Sequence, residues 1–220
     1  MQGFDDRKSI TKELIEIINS ADIINRLKIT PEHIRIGVCP KSHAKMPAAG
    51  SLLNFQITDL MNYALEDNAL KAAIGIATLN ALSAILFEED TCKYKPSSFG
   101  NALDLVKVTD KDIVAMVGAF PPFIKQIKEE AKKLFVIEKN PRIVGKGDNI
   151  EIESEARLEE IIPQSNILII TGVTLINHTL VPILKLAKKT SNIILVGPTA
   201  SVYPEPLFKR GVTIMGGVKI

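Results

Sequence analysis

Three short stretches close an apolar run with glycine and then turn: Gly118-Ala119-Phe120-Pro121, Thr171-Gly172-Val173-Thr174 and Gly197-Pro198-Thr199. In open parallel sheets, ligands sit outside the carboxyl ends of the strands. A glycine there lets a ligand come close to the backbone. The helix that follows offers free N–H groups and a positive dipole end, which suit a carboxylate or phosphate. Three such turns in one chain point to a binding edge, against the plainer reading that each glycine merely ends a strand. Glu138 follows Gly118 by twenty residues, where a dinucleotide-binding sheet keeps the acid that holds ribose hydroxyls. The competing reading is an exposed glutamate at a strand end. Gly118-Ala119-Phe120-Pro121-Pro122 also lacks the second and third glycines of the nucleotide fingerprint.

Metal chemistry has less to work with. The histidines are His33, His43 and His178, and the cysteines are Cys39 and Cys92. Cys39 and His43 could supply two ligands, but a structural zinc takes four and no second pair stands near. No metal site is expected, and the loop reading is preferred for both residues. His178 has the chemistry of a general acid or base near neutrality, yet a lone histidine early in a helix is read first as packing. There is no phosphate-loop signature, nucleophile elbow or zinc-protease pair.

Elements must bring these residues together. The chain has 220 residues with a formal net charge of +2, and its charges are mixed along the sequence. It therefore lacks the basic stripe of a nucleic-acid binder. Two distant cysteines fit a reducing, cytoplasmic setting, the first residues do not resemble a signal peptide, and no membrane span is expected. Apolar spacing predicts an amphipathic helix over 11–27, a half-buried strand over 33–38, a loop over 41–50 and a short helix over 59–64. Residues 68–86 are apolar nearly all round and predict a helix buried on most sides. Asn80 in that helix needs hydrogen-bond partners. Residues 88–104 are polar and turn-rich and mark a boundary between domains at 1–104 and 105–220. Beyond it, strands over 112–118, 134–138, 166–171, 192–196 and 212–215 alternate with helices over 121–133, 154–161 (with Ser154 as N-cap) and 175–189. Such alternation predicts an α/β fold with a Rossmann-like parallel sheet covered on both faces. The three glycine turns should then lie side by side, covered by the helix that carries Asn80. Thr174 and Asn177 should face the pocket, with Glu138 at its rim.

The ordered series Val117-Gly118-Ala119-Phe120-Pro121, Glu138-Lys139-Asn140-Pro141, residues 171–180, Leu195-Val196-Gly197-Pro198-Thr199 and Leu207-Phe208-Lys209-Arg210-Gly211, with residues 74–81 before it, resembles the family described as putative heavy-metal chelation. The resemblance implies a small enolase N-terminal-like α+β domain followed by a Rossmann-like α/β domain, a pocket between them, and a homodimer. It implies a role in metal homeostasis on pterin-, flavin- or siderophore-like molecules. It places Asn80, Gly118, Glu138, Thr171, Gly172, Asn177, Gly197, Pro198 and Thr199 on motif positions. Ala119 stands where a larger polar residue can occur, and residues 39–43 match only loosely, so Lys41, Ser42 and His43 receive no role. The expected function is a small-molecule-binding protein, with turnover and cofactor open, whose ligand has an anionic end. Two alternatives stand beside it: a direct metal-binding protein without turnover, and a Rossmann-like methyltransferase with Glu138 on the ribose of S-adenosylmethionine. A first domain this small cannot easily enclose its apolar helix by itself. Sedimentation at micromolar protein should therefore give twice the chain mass, and a purely monomeric boundary would refute the dimer.

Overall fold

The computed structural model describes residues 6–31, 50–89, 93–94, 100–139 and 150–218. The strand expected over 33–38, the loop over 41–49, and Cys39, His43 and Cys92 lie outside these residues. Helix α1 (Ser9–Ala21) buries Ile10, Leu14, Ile15 and Ile18 on one face. It stops at Asp22, whose φ of 53° is left-handed, and the chain restarts as α2 (Ile23–Arg26). The apolar spacing runs through Asp22 and predicted one helix; spacing does not register a single residue that leaves helical geometry. Helix α3 (Ile57–Asn62) leads into a 3-10 turn at Tyr63–Leu65.

Helix α4 (Ala69–Glu88) is capped by Asn68, whose side chain accepts from the Leu70 and Lys71 N–H groups at 3.1 Å. Among the described residues it is long and apolar enough to cross a membrane, but 56% of that stretch is buried inside the protein. Leu79 and Leu82 have no exposed surface, and Ile74 and Ile76 almost none. Gly75 is the closest point of approach. A Cβ there would lie 1.9 Å from the Ala64 backbone nitrogen.

Six strands form one parallel sheet: β1 (Ile113–Val117), β2 (Lys133–Ile137), β3 (Ile150–Glu153), β4 (Ile167–Thr171), β5 (Asn192–Val196) and β6 (Ile214–Gly216). Their order is β3-β2-β1-β4-β5-β6, with every pair parallel. This is the doubly wound dinucleotide-fold order, which reverses between β1 and β4. Both faces are buried, as the apolar strands require. Ala115, Val117, Phe135 and Leu168 point to one core, and Val114, Met116, Leu134 and Ile169 to the other.

Several boundaries differ from the sequence reading. β3 was not anticipated: Ile150-Glu151-Ile152-Glu153 is a short edge strand whose glutamates disguise it, and Glu151 pairs with Lys133 at 2.8 Å. Helix α5 (Pro121–Glu130) ends three residues early, because Lys133 already belongs to β2. Ser154 stands before a 3-10 turn (Glu155–Arg157) and α6 (Leu158–Ile161), but its side chain makes no cap bond. The helix expected over 175–189 is two pieces, α7 (Val173–Ile176) and α8 (Leu180–Leu186). His178 breaks them apart with a left-handed φ of 56°.

The N-terminal helices share one continuous apolar core with the β1–β2–β4–β5 face that carries Ala115 and Leu168. Arg210, just beyond α9 (Glu205–Phe208), also pairs with Glu13 of α1 and holds its carboxyl below the ordinary range, mainly through that hydrogen bond. Replacing glycine by alanine inside a helix ordinarily stabilises by about 1 kcal/mol. Gly75→Ala should do the opposite, costing about 2 kcal/mol or more by overpacking against the Tyr63–Leu65 turn. Urea unfolding midpoints decide the sign.

Candidate functional site

Because β1, β4 and β5 are adjacent and parallel, the Gly118, Gly172 and Gly197 turns lie side by side at the carboxyl edge. The glycines themselves do different things. Gly118 has a φ of +85°, and a Cβ on it would meet Thr171 Cγ2 at 2.9 Å. A Cβ on Gly172 would meet the Ala200 nitrogen at 2.7 Å and Thr199 at 3.0 Å. At these two positions a side chain would collide with neighbouring protein. Gly197 has a φ of +107° and nothing nearer than Phe120 Cε1 at 4.0 Å. It is the open one of the three.

The backbone donors of the edge are largely spent. Gly118 N–H bonds Ile137 O at 2.9 Å, Gly172 N–H bonds Val196 O at 2.8 Å, and Gly197 N–H bonds Gly216 O at 2.9 Å. Thr171 Oγ1 accepts from Val173 N–H at 3.4 Å. Thr174 is buried, and its hydroxyl donates back to Thr171 O at 2.7 Å. The exposed Asn177 accepts from the Thr179 N–H at 3.2 Å and hydroxyl at 2.6 Å. Both side chains shape the α7–α8 turn, since short polar side chains satisfy nearby backbone groups. The half-buried Glu138 follows β2 directly, and its Oε2 accepts from Ala119 N–H at 2.9 Å.

Helix α4 crosses this edge and is fastened to it by polar contacts. Asn80, 6% exposed, donates through Nδ2 to Pro198 O at 3.1 Å. Pro198 O can only accept, which fixes the amide and leaves Asn80 Oδ1 buried with no partner. Ser83 was not singled out from sequence. It accepts from Tyr203 N–H at 2.9 Å and donates to Leu79 O at 2.7 Å. Its position three residues after Asn80 puts both on one face of the helix, and that spacing was the available signal. His178 is buried too; Nε2 meets Glu66 O at 2.9 Å, and Nδ1 has no partner. Among the described residues no group of three or more His, Cys, Asp or Glu side chains could share a metal ion.

Fold and edge together define a Rossmann-like α/β protein whose carboxyl edge is covered by a buried N-terminal helix. The chain belongs to the family described as "Putative heavy-metal chelation": one family model of that description (DUF364) matches residues 101–220 and a second (DUF4213) matches 29–83. It is similar to an uncharacterized protein of Methanocaldococcus jannaschii, 31% identical over 172 residues, which are 76% of this chain and 62% of that protein. A crystal structure of a DUF364-family protein of unknown function from Desulfitobacterium hafniense superposes with a TM-score of 0.70 at 22% identity, covering 98% of this chain and 88% of that one. Another, from Pyrococcus horikoshii, gives 0.58 at 23% identity, covering 80% and 64%. The chain thus spans less than two thirds of the length of the Methanocaldococcus and Pyrococcus relatives.

A buried acceptor without a donor costs about 1–3 kcal/mol, so Asn80 is held at a cost to stability. The single proton of Ser201 Oγ has two acceptors in reach, Pro198 O at 3.0 Å and Val218 O at 3.1 Å, so it can turn to Pro198 O if Asn80 is lost. Asn80→Leu should therefore leave the unfolding free energy within about 1 kcal/mol of the parent or raise it. A loss of more than about 3 kcal/mol in urea titrations would make Asn80 a structural residue.

Proposed function

We propose that this protein binds a small organic molecule at the seam between α4 and the carboxyl edge of the sheet, and that it serves heavy-metal chelation or homeostasis through that molecule. A pterin-, flavin- or siderophore-like ligand fits the proposal, with the metal as cargo of the ligand. The observation that carries it is Asn80: a polar side chain in a mostly apolar helix, nine-tenths buried at this seam, with one oxygen unsatisfied. The open backbone at Gly197 beside Phe120 supports the same place. The family description supports the metal connection. A cytoplasmic homodimer is part of the proposal. Leu105, at 72% exposed, and Val218, at 51%, are apolar surface that a second subunit could cover.

Direct binding of a metal by protein side chains is the rival, and the described residues offer no ligand cluster for it. Native mass spectrometry and elemental analysis of one preparation separate the two. The proposal expects an organic adduct released on denaturation, with any metal leaving alongside it. About one zinc per chain that chelators remove only with unfolding would favour the rival.

A further inference from the structure

In nucleotide-binding sheets of this strand order, the turn after β1 gives its N–H groups to the pyrophosphate, and an acid at the end of β2 holds the ribose hydroxyls. Here those two groups hold each other. Glu138, just past β2, accepts the Ala119 N–H at 2.9 Å. The preceding donor, Gly118 N–H, is spent on Ile137 O at 2.9 Å. The next two residues after Phe120 are Pro121 and Pro122, which open α5 and carry no N–H. The turn is left with the amides of Phe120 and Phe123. A helix start normally welcomes an anion because four N–H groups point out of it. This one has lost two of them to proline and has a carboxylate beside its first turn. Phe120 meanwhile sets an aromatic edge against Gly197. The β1 turn is an apolar, acid-tied wall.

We infer that Glu138 is a specificity-determining residue: by tying down the Ala119 N–H and placing a carboxylate where a phosphate would sit, it excludes nucleotides from the Rossmann crevice. The ligand of this edge is then a molecule without a phosphate group, and a dinucleotide reading of the crevice falls with it. The ligand class rests on the function proposed above, but the exclusion does not, and it can be tested without that ligand.

The probe is ADP, which carries both ribose and phosphates, titrated calorimetrically into the full chain and its variants. The parent should show no saturable binding up to roughly millimolar ADP. Glu138→Ala, which removes the charge and frees the amide, should gain affinity by at least about tenfold over that limit. Amide exchange at Ala119 should be at least about tenfold faster in Glu138→Ala than in the parent. Glu138→Gln keeps an acceptor for that amide and should hold its exchange near the parent rate while gaining part of the ADP affinity. It carries the test if the alanine variant does not fold. Saturable binding of ADP by the parent overturns the inference. So does a folded charge-free variant that binds ADP no better, or an Ala119 amide that exchanges alike in parent and alanine variant. None of these results bears on whether an organic ligand copurifies, so the two readings fail separately.

Discussion

A twenty-residue helix that is apolar nearly all round is poorly placed on a surface, and the rest of this molecule is arranged around enclosing most of α4. The α3 segment and its 3-10 turn close one side, near enough that only glycine fits at position 75. Helix α1 packs across it, and the carboxyl edge of the sheet takes the remainder. The apolar core that results runs without a break from Leu14 and Ile18 through Leu79 and Leu82 to Ile170 and Leu195. The N-terminal segment and the sheet are therefore coupled through packing. A substitution in α4 will be felt at the edge where the strands end.

The seam on that edge is not purely apolar. Asn80 reaches Pro198, Ser83 reaches Tyr203, and His178 reaches Glu66, each across more than a hundred residues of chain. Hydrogen bonds of this kind add about 1 kcal/mol apiece at best, and two of the three side chains keep a buried atom unsatisfied. A seam built for stability alone would be better served by leucine. These contacts fix the register of α4 against the turns after β4 and β5, because directional bonds discriminate between positions that apolar packing tolerates equally.

The glycines at the strand ends separate two physical roles that look the same in a sequence. Gly172 is small because the Thr199–Ala200 backbone presses against it; Gly197 is glycine because its backbone is left-handed, with open surroundings; Gly118 combines a left-handed backbone with Thr171 close by. The same holds for the polar residues near them. Thr174 and Asn177 satisfy the backbone of their own turn, and Glu138 serves the neighbouring loop.

Residue order determined the alternation of apolar strands and helices after residue 112, and with it a parallel sheet. It also determined the burial of α4 on most sides and the meeting of three glycine turns on one edge. These are legible because they depend on period and composition, which are local. Asp22 and His178 break helices whose apolar spacing continues unbroken, since one left-handed residue leaves no trace in a pattern of hydrophobicity. β3 was hidden because an edge strand buries little and can afford glutamates. What fills the space beside a glycine, which N–H groups are already bonded, and that Asn80 meets Pro198 rather than solvent were decided only in three dimensions. The partners lie 118 residues apart in the case of Asn80, and their meeting depends on how sheet and helix pack, which no local signal encodes.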